Sequence, residues 1–260
     1  MRIVSLNLRF AHNPEMNNQA IREPRIVDFV KSFRPTVMGV QECEKFWRER
    51  LLTTIGKFGY LPAQPERIGE DGKFAFKNFI WYDSENAELL ESGALWLSET
   101  PDTPSKGFGS RFYISCGYAV IKSKSTNECL AYINTHLDVH NAETRQKEIG
   151  VVKAKIQELK SKGYPVFVTG DFNDVEDSDV YLAMTDGMFD ARKTAKKSTE
   201  LNTFNSYTSE EETLSSENYK RIDYCFYCGE NISIDEFAVV DKWTDGYMSD
   251  HNAVVIDANL

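Results

Sequence analysis

The sequence predicts a mixed fold in which helices pack on β-sheets. Short runs rich in β-branched and aromatic residues recur along the 260 residues, and two amphipathic helical segments lie between them. No run of ~18 consecutive apolar residues is present, so a transmembrane helix is not expected. We interpret residues 1–260 as a single domain, because strand-like sequence resumes after the one long polar segment, 193–220.

The predicted strands are apolar segments bounded by polar or turn-forming residues. They are Ile3–Leu8, Thr36–Gln41, Asn78–Tyr82, Cys116–Ile121, Cys129–Asn134, Val166–Thr169, Ile222–Tyr227 and Ala253–Ile256. The polar segment 193–220 contains Phe204 and Tyr207 among Ser, Thr, Asn and Glu residues. A solvated loop and a substrate-facing loop are both consistent with that composition.

Two helices are predicted from apolar residues that recur with helical spacing. The first covers Arg22–Phe33 and is followed by Pro35 as a stop signal. Its apolar face consists of Ile26, Phe29, Val30 and Phe33. The second runs from about Ala142 to Lys162, and Gly163 follows at the usual position of a C-cap glycine. Its apolar face consists of Ile149, Val152, Ile156 and Leu159.

The chain is acidic, with 40 Asp and Glu residues against 30 Lys and Arg residues and a net charge of -10. Proteins that hold long nucleic acids through phosphate contacts are usually basic, so this balance favours small substrates over long polynucleotides. An acidic surplus also suits a divalent cation, because hard cations prefer oxygen ligands. The hydrophobic content of 41% excludes a disordered or collagen-like chain.

The five cysteines are too few and too scattered to form a disulfide framework. Cys225 and Cys228 form a C-x-x-C pair within the strand-like run IDYCFYCG, with no second pair to complete a zinc site. We therefore expect buried thiols without a metal or redox role. The N-terminal segment contains no long apolar stretch typical of a signal peptide, and we expect a cytoplasmic protein.

Polar residues lie at or near the ends of many of the predicted strands. They are Asn7, Gln41, Glu42, Asn134, His136, Asp138, Asp171, Asn173, Asp174, Asp223, Asp250 and His251. One carboxylate at a strand end is commonly a turn residue, but this repetition predicts that the strand ends converge on one cleft. Carboxylates, amides and imidazoles suit a hard divalent cation and acid–base chemistry on water. The motifs G-x-S-x-G, P-loop and helix-opening G-x-G-x-x-G are absent, which argues against acyl transfer and nucleotide-loop chemistry.

Asp250 and His251 are adjacent, and neighbouring residues of an extended segment point to opposite sides. We therefore expect them to have different partners. His251 also needs a group that fixes its tautomer, and a buried acid such as Asp223 is the natural candidate.

The strings LNLRF, VQE, NTHLD, TGDFND, RIDY and SDH, in this order, resemble the motifs of the endonuclease/exonuclease/phosphatase superfamily. That superfamily includes DNase I, abasic-site endonucleases, deadenylases, inositol polyphosphate 5-phosphatases and sphingomyelinases. The resemblance extends from Asn7 to His251, and the segment Leu95–Pro101 is similar to a bacterial branch of uncertain substrate. It implies a DNase I-like, four-layered α/β sandwich, with two central and mainly antiparallel sheets flanked by helices.

The resemblance implies a phosphoester hydrolase that uses Mg²⁺ or Mn²⁺. Asn7 and Glu42 would lie at the metal, with Glu42 as the principal ligand, and Asp250 would lie beside it. Arg111, in GSRFYIS, is placed where this branch tends to carry an arginine and would bind phosphate.

Five further residues form the catalytic set that the resemblance implies. His136 would contact or protonate the phosphate, and Asp171 would orient or deprotonate the attacking water. Asn173 would position the water or the phosphate. Asp223 would hold His251, which would bind the scissile phosphate.

The sequence departs from the abasic-site endonucleases at Arg9, where those enzymes carry an acid, and this argues against abasic-site repair. We expect a phosphodiesterase or nuclease acting on nucleic acid or a small phosphodiester. A phosphomonoesterase acting on a small phosphorylated lipid or sugar and an inactive binding module are the alternatives. No obligate protein partner is inferred, and a monomer is expected.

Overall fold

The computed structural model describes residues 1–10, 17–69, 72, 75–208 and 220–260. The helices are α1 (Gln19–Phe33), α2 (Lys45–Thr53), α3 (Ala142–Ser161), α4 (Asp179–Thr185) and α5 (Ala191–Thr194). The strands are β1 (Arg2–Asn7), β2 (Val37–Gln41), β3 (Tyr60–Pro62), β4 (Ile80–Asp83), β5 (Ala87–Trp96), β6 (Ser115–Ser123), β7 (Cys129–His136), β8 (Val166–Asp171), β9 (Phe189–Asp190), β10 (Lys197–Ser198), β11 (Asp223–Cys228), β12 (Ser233–Val240), β13 (Lys242–Trp243), β14 (Gly246–Tyr247) and β15 (Ala253–Asn259).

Two large sheets form the centre of the described structure. The first has the strand order β10-β12-β15-β1-β2-β4-β3, and the second has the order β5-β6-β7-β8-β11-β9. The pairs β1–β2, β7–β8 and β10–β12 are parallel, and the other pairs in these sheets are antiparallel. The expected mainly antiparallel character of the two sheets is therefore confirmed.

Three apolar cores separate the four layers. One core lies between the sheets and includes Ile3, Tyr132 and Phe167. A second joins α1 and α2 to the outer face of the first sheet, and a third joins α3 and α4 to the outer face of the second. Because successive strand residues face opposite sides, Ile3 enters the central core while Val4 enters the outer one. The predicted four-layered sandwich is confirmed.

Both predicted helices are present with identifiable start signals. The side chain of Asn18 accepts a hydrogen bond from the backbone N–H of Ile21, so α1 begins three residues before the predicted start. The side chain of Asn141 caps α3 in the same way through Glu143 and Thr144. Every predicted strand is also present, with ends shifted by a few residues.

Seven strands (β3, β5, β9, β10, β12, β13 and β14) and three helices (α2, α4 and α5) have no counterpart among the predicted elements. β5 has the sequence AELLESGALW and forms an edge of its sheet, where several of its polar residues are exposed or half-buried. Such a strand lacks the continuous apolar run of a central strand, which explains why the sequence does not reveal it. None of the helices in the described residues is long and apolar enough to cross a membrane.

The space between the sheets becomes polar near the ends of β1, β2, β7 and β8. Gln41 donates to Asn134 Oδ1 at 2.6 Å, and Asn134 donates to the carbonyl oxygens of Val40 and Phe79 at 2.9 and 3.0 Å. Gly39 allows this approach, since a Cβ there would lie 2.6 Å from Asn134 Oδ1. These contacts join the two sheets directly beneath the polar strand ends.

The two thiols of the C-x-x-C pair lie on opposite faces of β11. Cys225 belongs to the core between the sheets, and Cys228 belongs to the core beneath α3. Burial raises the pKa of both thiols, which disfavours the thiolate that metal binding requires. The arrangement agrees with the expectation of buried, structural cysteines.

Candidate active site

Three neighbouring strands bring His136, Asp171 and Asp223 side by side. His136 on β7 is directly opposite Asp171 on β8, which is directly opposite Asp223 on β11. The distance from His136 Nε2 to Asp171 Oδ2 is 3.4 Å. Because β7 and β8 end here and the antiparallel β11 begins here, the three side chains form one polar group at the predicted cleft.

His251 completes this group from the segment that precedes β15. Its Nδ1 lies 2.9 Å from Asp223 Oδ2, and its Nε2 lies 3.6 Å from Asp171 Oδ2. The predicted contact between Asp223 and His251 is therefore present. Phe204 packs against the His251 ring with the ring centroids 5.0 Å apart, so this part of the polar segment 193–220 adjoins the cleft; residues 209–219 lie outside the described residues.

The electrostatics of this group favour a charged imidazole and a basic carboxylate. Burial opposes the charged form of His251, but the negative charges of Asp223 and Asp171 outweigh it and raise its pKa well above the ordinary value. Burial also raises the pKa of Asp171, although His136 and His251 oppose this effect. A carboxylate with a raised pKa is a better proton acceptor than an exposed aspartate.

Asn7 connects Asp171 to Glu42 across the two sheets. Its Nδ2 donates to Glu42 Oε1 and to Asp171 Oδ2, both at 3.0 Å. Glu42 Oε2 accepts the backbone N–H of Phe10 at 2.9 Å, and Glu42 itself has a positive φ of 53°. A non-glycine residue in this region is uncommon and is often found at functional sites.

Asp250 and His251 have different partners, as expected. The guanidinium of Arg9 forms an ion pair with Asp250 Oδ2, and Ser249 donates to Oδ1 at 3.1 Å. The carboxylate of Asp250 is thus engaged by an arginine whose role the sequence did not indicate. The assignment of Asp250 beside a metal stays a prediction.

Asn173 connects the two loops that directly follow His136 and Asp171. Its backbone N–H donates to Asp171 Oδ1 at 2.9 Å, and its side chain donates to the Leu137 carbonyl at 2.8 Å. Its φ of 50° aims the side chain back at the neighbouring loop. The amide nitrogen of Asn173 therefore has a structural partner, and its contact with water or phosphate stays a prediction.

Arg111 is exposed and has no ion-pair partner among the described residues. The preceding residue, Ser110, donates to Asp138 Oδ2 at 2.7 Å. Since Asp138 lies two residues after His136, this bond ties the Arg111 loop to the rim of the cleft. This position is compatible with the predicted contact between Arg111 and a substrate phosphate, and that contact stays a prediction.

Helix α3 supports the same rim through two residues that the sequence analysis did not single out. Glu148 accepts the backbone N–H of Asp138 at 2.8 Å. Arg145 donates to the Asp138 carbonyl and to Asp174 Oδ2, both at 3.0 Å. The sequence gives only a weak indication of these contacts, namely that both polar residues lie on the buried side of an amphipathic helix.

Replacing Glu148 with Gln should change how stability depends on pH. Burial and the charge of Asp138 raise the pKa of Glu148 to about 8, although the Asp138 N–H and Arg145 oppose the shift. Between about 4.3, the ordinary glutamate value, and 8 the folded state holds a proton that the unfolded state lacks. The free energy of unfolding of the wild type therefore falls as pH rises through this window. Gln does not titrate, so the Glu148→Gln variant should become more stable relative to the wild type over the same range.

Denaturant unfolding of both proteins at pH 5 and pH 8.5 measures this gain. Glu143→Gln on the exposed side of α3 is the matched control, because Glu143 is an exposed partner of Lys147. A Glu148→Gln stability difference that stays constant between the two pH values would contradict the assignment.

The donor set of the cleft suits a divalent cation. Asp171, Asp223 and His251 offer ligand atoms that lie within 4.8 Å of one another. Asn7 joins Glu42 to this group at Asp171, and Arg9 is the nearby permanent cation. Buried carboxylates that outnumber their permanent cations fit a hard cation with oxygen ligands.

The model of the Endonuclease/Exonuclease/phosphatase family matches residues 4–251. The chain belongs to this family. The resemblance drawn from the six motifs is thereby confirmed, and so is the general assignment to a family of phosphoester hydrolases.

Several known proteins are similar to the chain, two of them solved structures that match it over its whole length. A Bacteroides vulgatus member is 27% identical with a TM-score of 0.86, and 100% of this chain and 98% of that chain are covered. The Bacteroides thetaiotaomicron mannosyl-6-phosphatase Bt3783 is 25% identical with a TM-score of 0.85, and both chains are covered completely. Protein L388 of Acanthamoeba polyphaga mimivirus is 22% identical over 204 residues, or 73% of each chain.

Proposed function

We propose that the protein is a divalent-metal-dependent phosphoester hydrolase in which water attacks phosphorus in line with the leaving oxygen. The observation that carries this proposal is the central position of Asp171, which lies next to His136, His251 and Asn7 at once. A buried carboxylate between two imidazoles can accept a proton while the imidazoles face an anion.

Each member of this group has a separate task in the proposed reaction. Asp171 accepts a proton of the attacking water as the new P–O bond forms, while the P–O bond to the leaving group breaks and the leaving oxygen takes a proton from solvent. His136 and His251 donate hydrogen bonds to the phosphate oxygens, where negative charge accumulates. Asp223 keeps His251 protonated and oriented through the contact at 2.9 Å.

Glu42 and Asn7 would hold the divalent cation, with Asp250 beside it. Bound there, Mg²⁺ or Mn²⁺ would supply positive charge to neutralise the phosphate and the leaving oxygen. Glu42 suits this role because its carboxylate is only partly buried and is oriented by Asn7 and the Phe10 N–H.

Glu42→Gln is expected to weaken Mg²⁺ affinity and activity without unfolding the protein. A hard cation needs at least one anionic oxygen, and Gln keeps the shape of Glu but removes the charge. Mg²⁺ titration of both proteins, followed by calorimetry and by activity, measures the effect. Glu44→Gln is the control, because Glu44 contacts Lys77. A superimposable titration curve would remove Glu42 from the metal site.

For the substrate we propose a phosphodiester, in nucleic acid or in a small molecule. A phosphomonoester of a sugar is a second candidate, because a 25% identical relative of full length is a mannosyl-6-phosphatase. The net charge of -10 also favours small substrates. Hydrolysis of bis-p-nitrophenyl phosphate, DNA, RNA, mannose 6-phosphate and inositol phosphates with Mg²⁺ compares the two, with Asp171→Asn as the background. Activity on none of them, in a folded protein that binds Mg²⁺, would contradict both.

A further inference from the structure

Arg9 has a backbone that is held from three directions. Its φ is 49°, its N–H donates to Asn7 Oδ1 at 2.9 Å, and its carbonyl accepts from Trp47 Nε1 at 3.2 Å and Arg22 at 3.1 Å. A left-handed conformation is unfavourable for arginine and persists because the surroundings fix it. The side chain therefore leaves the backbone in a set direction, toward Asp250.

The guanidinium of Arg9 is the one ion-pair partner of Asp250 among the described residues. The Asp250 side chain is 6% exposed, and the guanidinium carbon of Arg9 lies over the Tyr207 ring at 5.5 Å from its centroid. This ring limits the space into which the guanidinium can withdraw. The pair is thus a compact and mostly shielded unit.

Arg22 is close by but cannot replace Arg9. It is fully buried, and its guanidinium donates to the carbonyls of Asn17, Leu8, Met248 and Arg9. Its hydrogen bonds therefore go to backbone oxygens rather than to a carboxylate. If Arg9 were neutral, the carboxylate of Asp250 would be a buried and uncompensated charge.

We propose that Arg9 is the resident counter-ion of Asp250 and keeps this carboxylate out of the coordination of the divalent cation. The cation is then held from the Glu42 side of Asn7, away from Asp250. Asn7 separates the two sides, since its Oδ1 faces the Arg9 N–H while its Nδ2 faces Glu42. A cation that took Asp250 as a ligand would have to displace a guanidinium, and this competition lowers its affinity. The inference rests on the proposed metal dependence.

Calorimetric titration with Mn²⁺ of four proteins tests the inference: wild type, Arg9→Gln, Asp250→Asn and the double variant. Arg9→Gln should bind Mn²⁺ about 10-fold tighter, which corresponds to about 1.4 kcal/mol, because a buried carboxylate becomes available. The double variant should lose this gain. Asp250→Asn alone should change the affinity less than Arg9→Gln does. Arg9→Lys retains the charge and should bind Mn²⁺ as wild type does.

An Arg9→Gln affinity equal to that of wild type would overturn the inference, and so would a gain that persists in the double variant. A 10-fold loss in Asp250→Asn that also persists in the double variant would show that Asp250 is a ligand in the wild type. Should Arg9→Gln fail to fold, Arg9→Met, which retains a long unbranched side chain without the charge, replaces it. Absence of Mn²⁺ binding in all variants would instead refute the proposed metal dependence.

Discussion

Asp171→Asn should lower kcat by about 10²–10⁴-fold, the usual effect of removing a positioned general base. The amide has the size of the carboxylate but cannot accept a proton from water. It also removes a negative charge that raises the pKa of His251. The thermal midpoint should change little, because burial of this carboxylate already disfavours its charged form.

Steady-state kinetics and a thermal melt of the same preparation measure the two expectations together. Asp186→Asn is the matched control, since the Asp186 side chain is 87% exposed and contacts Lys153. The control should retain wild-type kcat and melting temperature. A folded Asp171→Asn protein with wild-type kcat would exclude Asp171 as the base, and an unfolded one would make it a structural residue.

Asp223→Asn should shift the alkaline limb of the pH–rate profile to lower pH. Burial lowers the pKa of His251, and the charges of Asp223, Asp171 and Asp250 together raise it above the ordinary value of about 6.5. Activity that needs the imidazolium is present below the raised pKa and is lost as pH rises through it. Without the Asp223 charge, that loss occurs earlier.

The measurement is kcat against pH from 5 to 9 for wild type and Asp223→Asn at saturating Mg²⁺. The acidic limb should move less than the alkaline one, because the variant acts chiefly on His251. Asp190→Asn is unsuitable as a control, since Asp190 is buried and pairs with Arg221. Asp179→Asn, on an exposed position that Gln146 contacts, should reproduce the wild-type profile. Overlapping profiles for wild type and Asp223→Asn would show that Asp223 does not raise the pKa of His251.

The sequence predicts well the residues that strand register brings together. His136, Asp171 and Asp223 end three neighbouring strands, so an extended backbone and regular pairing are enough to align them. The contact between His251 and Asp223 is predictable for a different reason, because a buried imidazole needs a hydrogen-bond partner for its second nitrogen. The four-layered arrangement follows from the family resemblance rather than from any apolar pattern, and the order of the strands in the sheets is visible only in the structure.

The contacts of Arg9 and Glu148 could not be predicted in this way. Arg9 lies beyond the end of β1, where a φ of 49° redirects the chain, and no periodic pattern reports the resulting direction of its side chain. Glu148 interrupts the apolar face of α3, and helical periodicity alone predicts that a glutamate there is exposed to solvent. Both positions depend on long-range contacts, which neither propensity nor periodicity contains.

The pairing of β1 with β15 determines when the cleft can first exist during synthesis. Val4 is paired with Val255, so one side of β1 has no hydrogen-bonding partner until the last strand has left the ribosome. At translation speeds of about 5–20 residues per second, this wait is on the order of tens of seconds. Until then β1 has one open apolar edge beside its pairing with β2, and the approach of His251 to Asp171 forms only after this last segment has been translated.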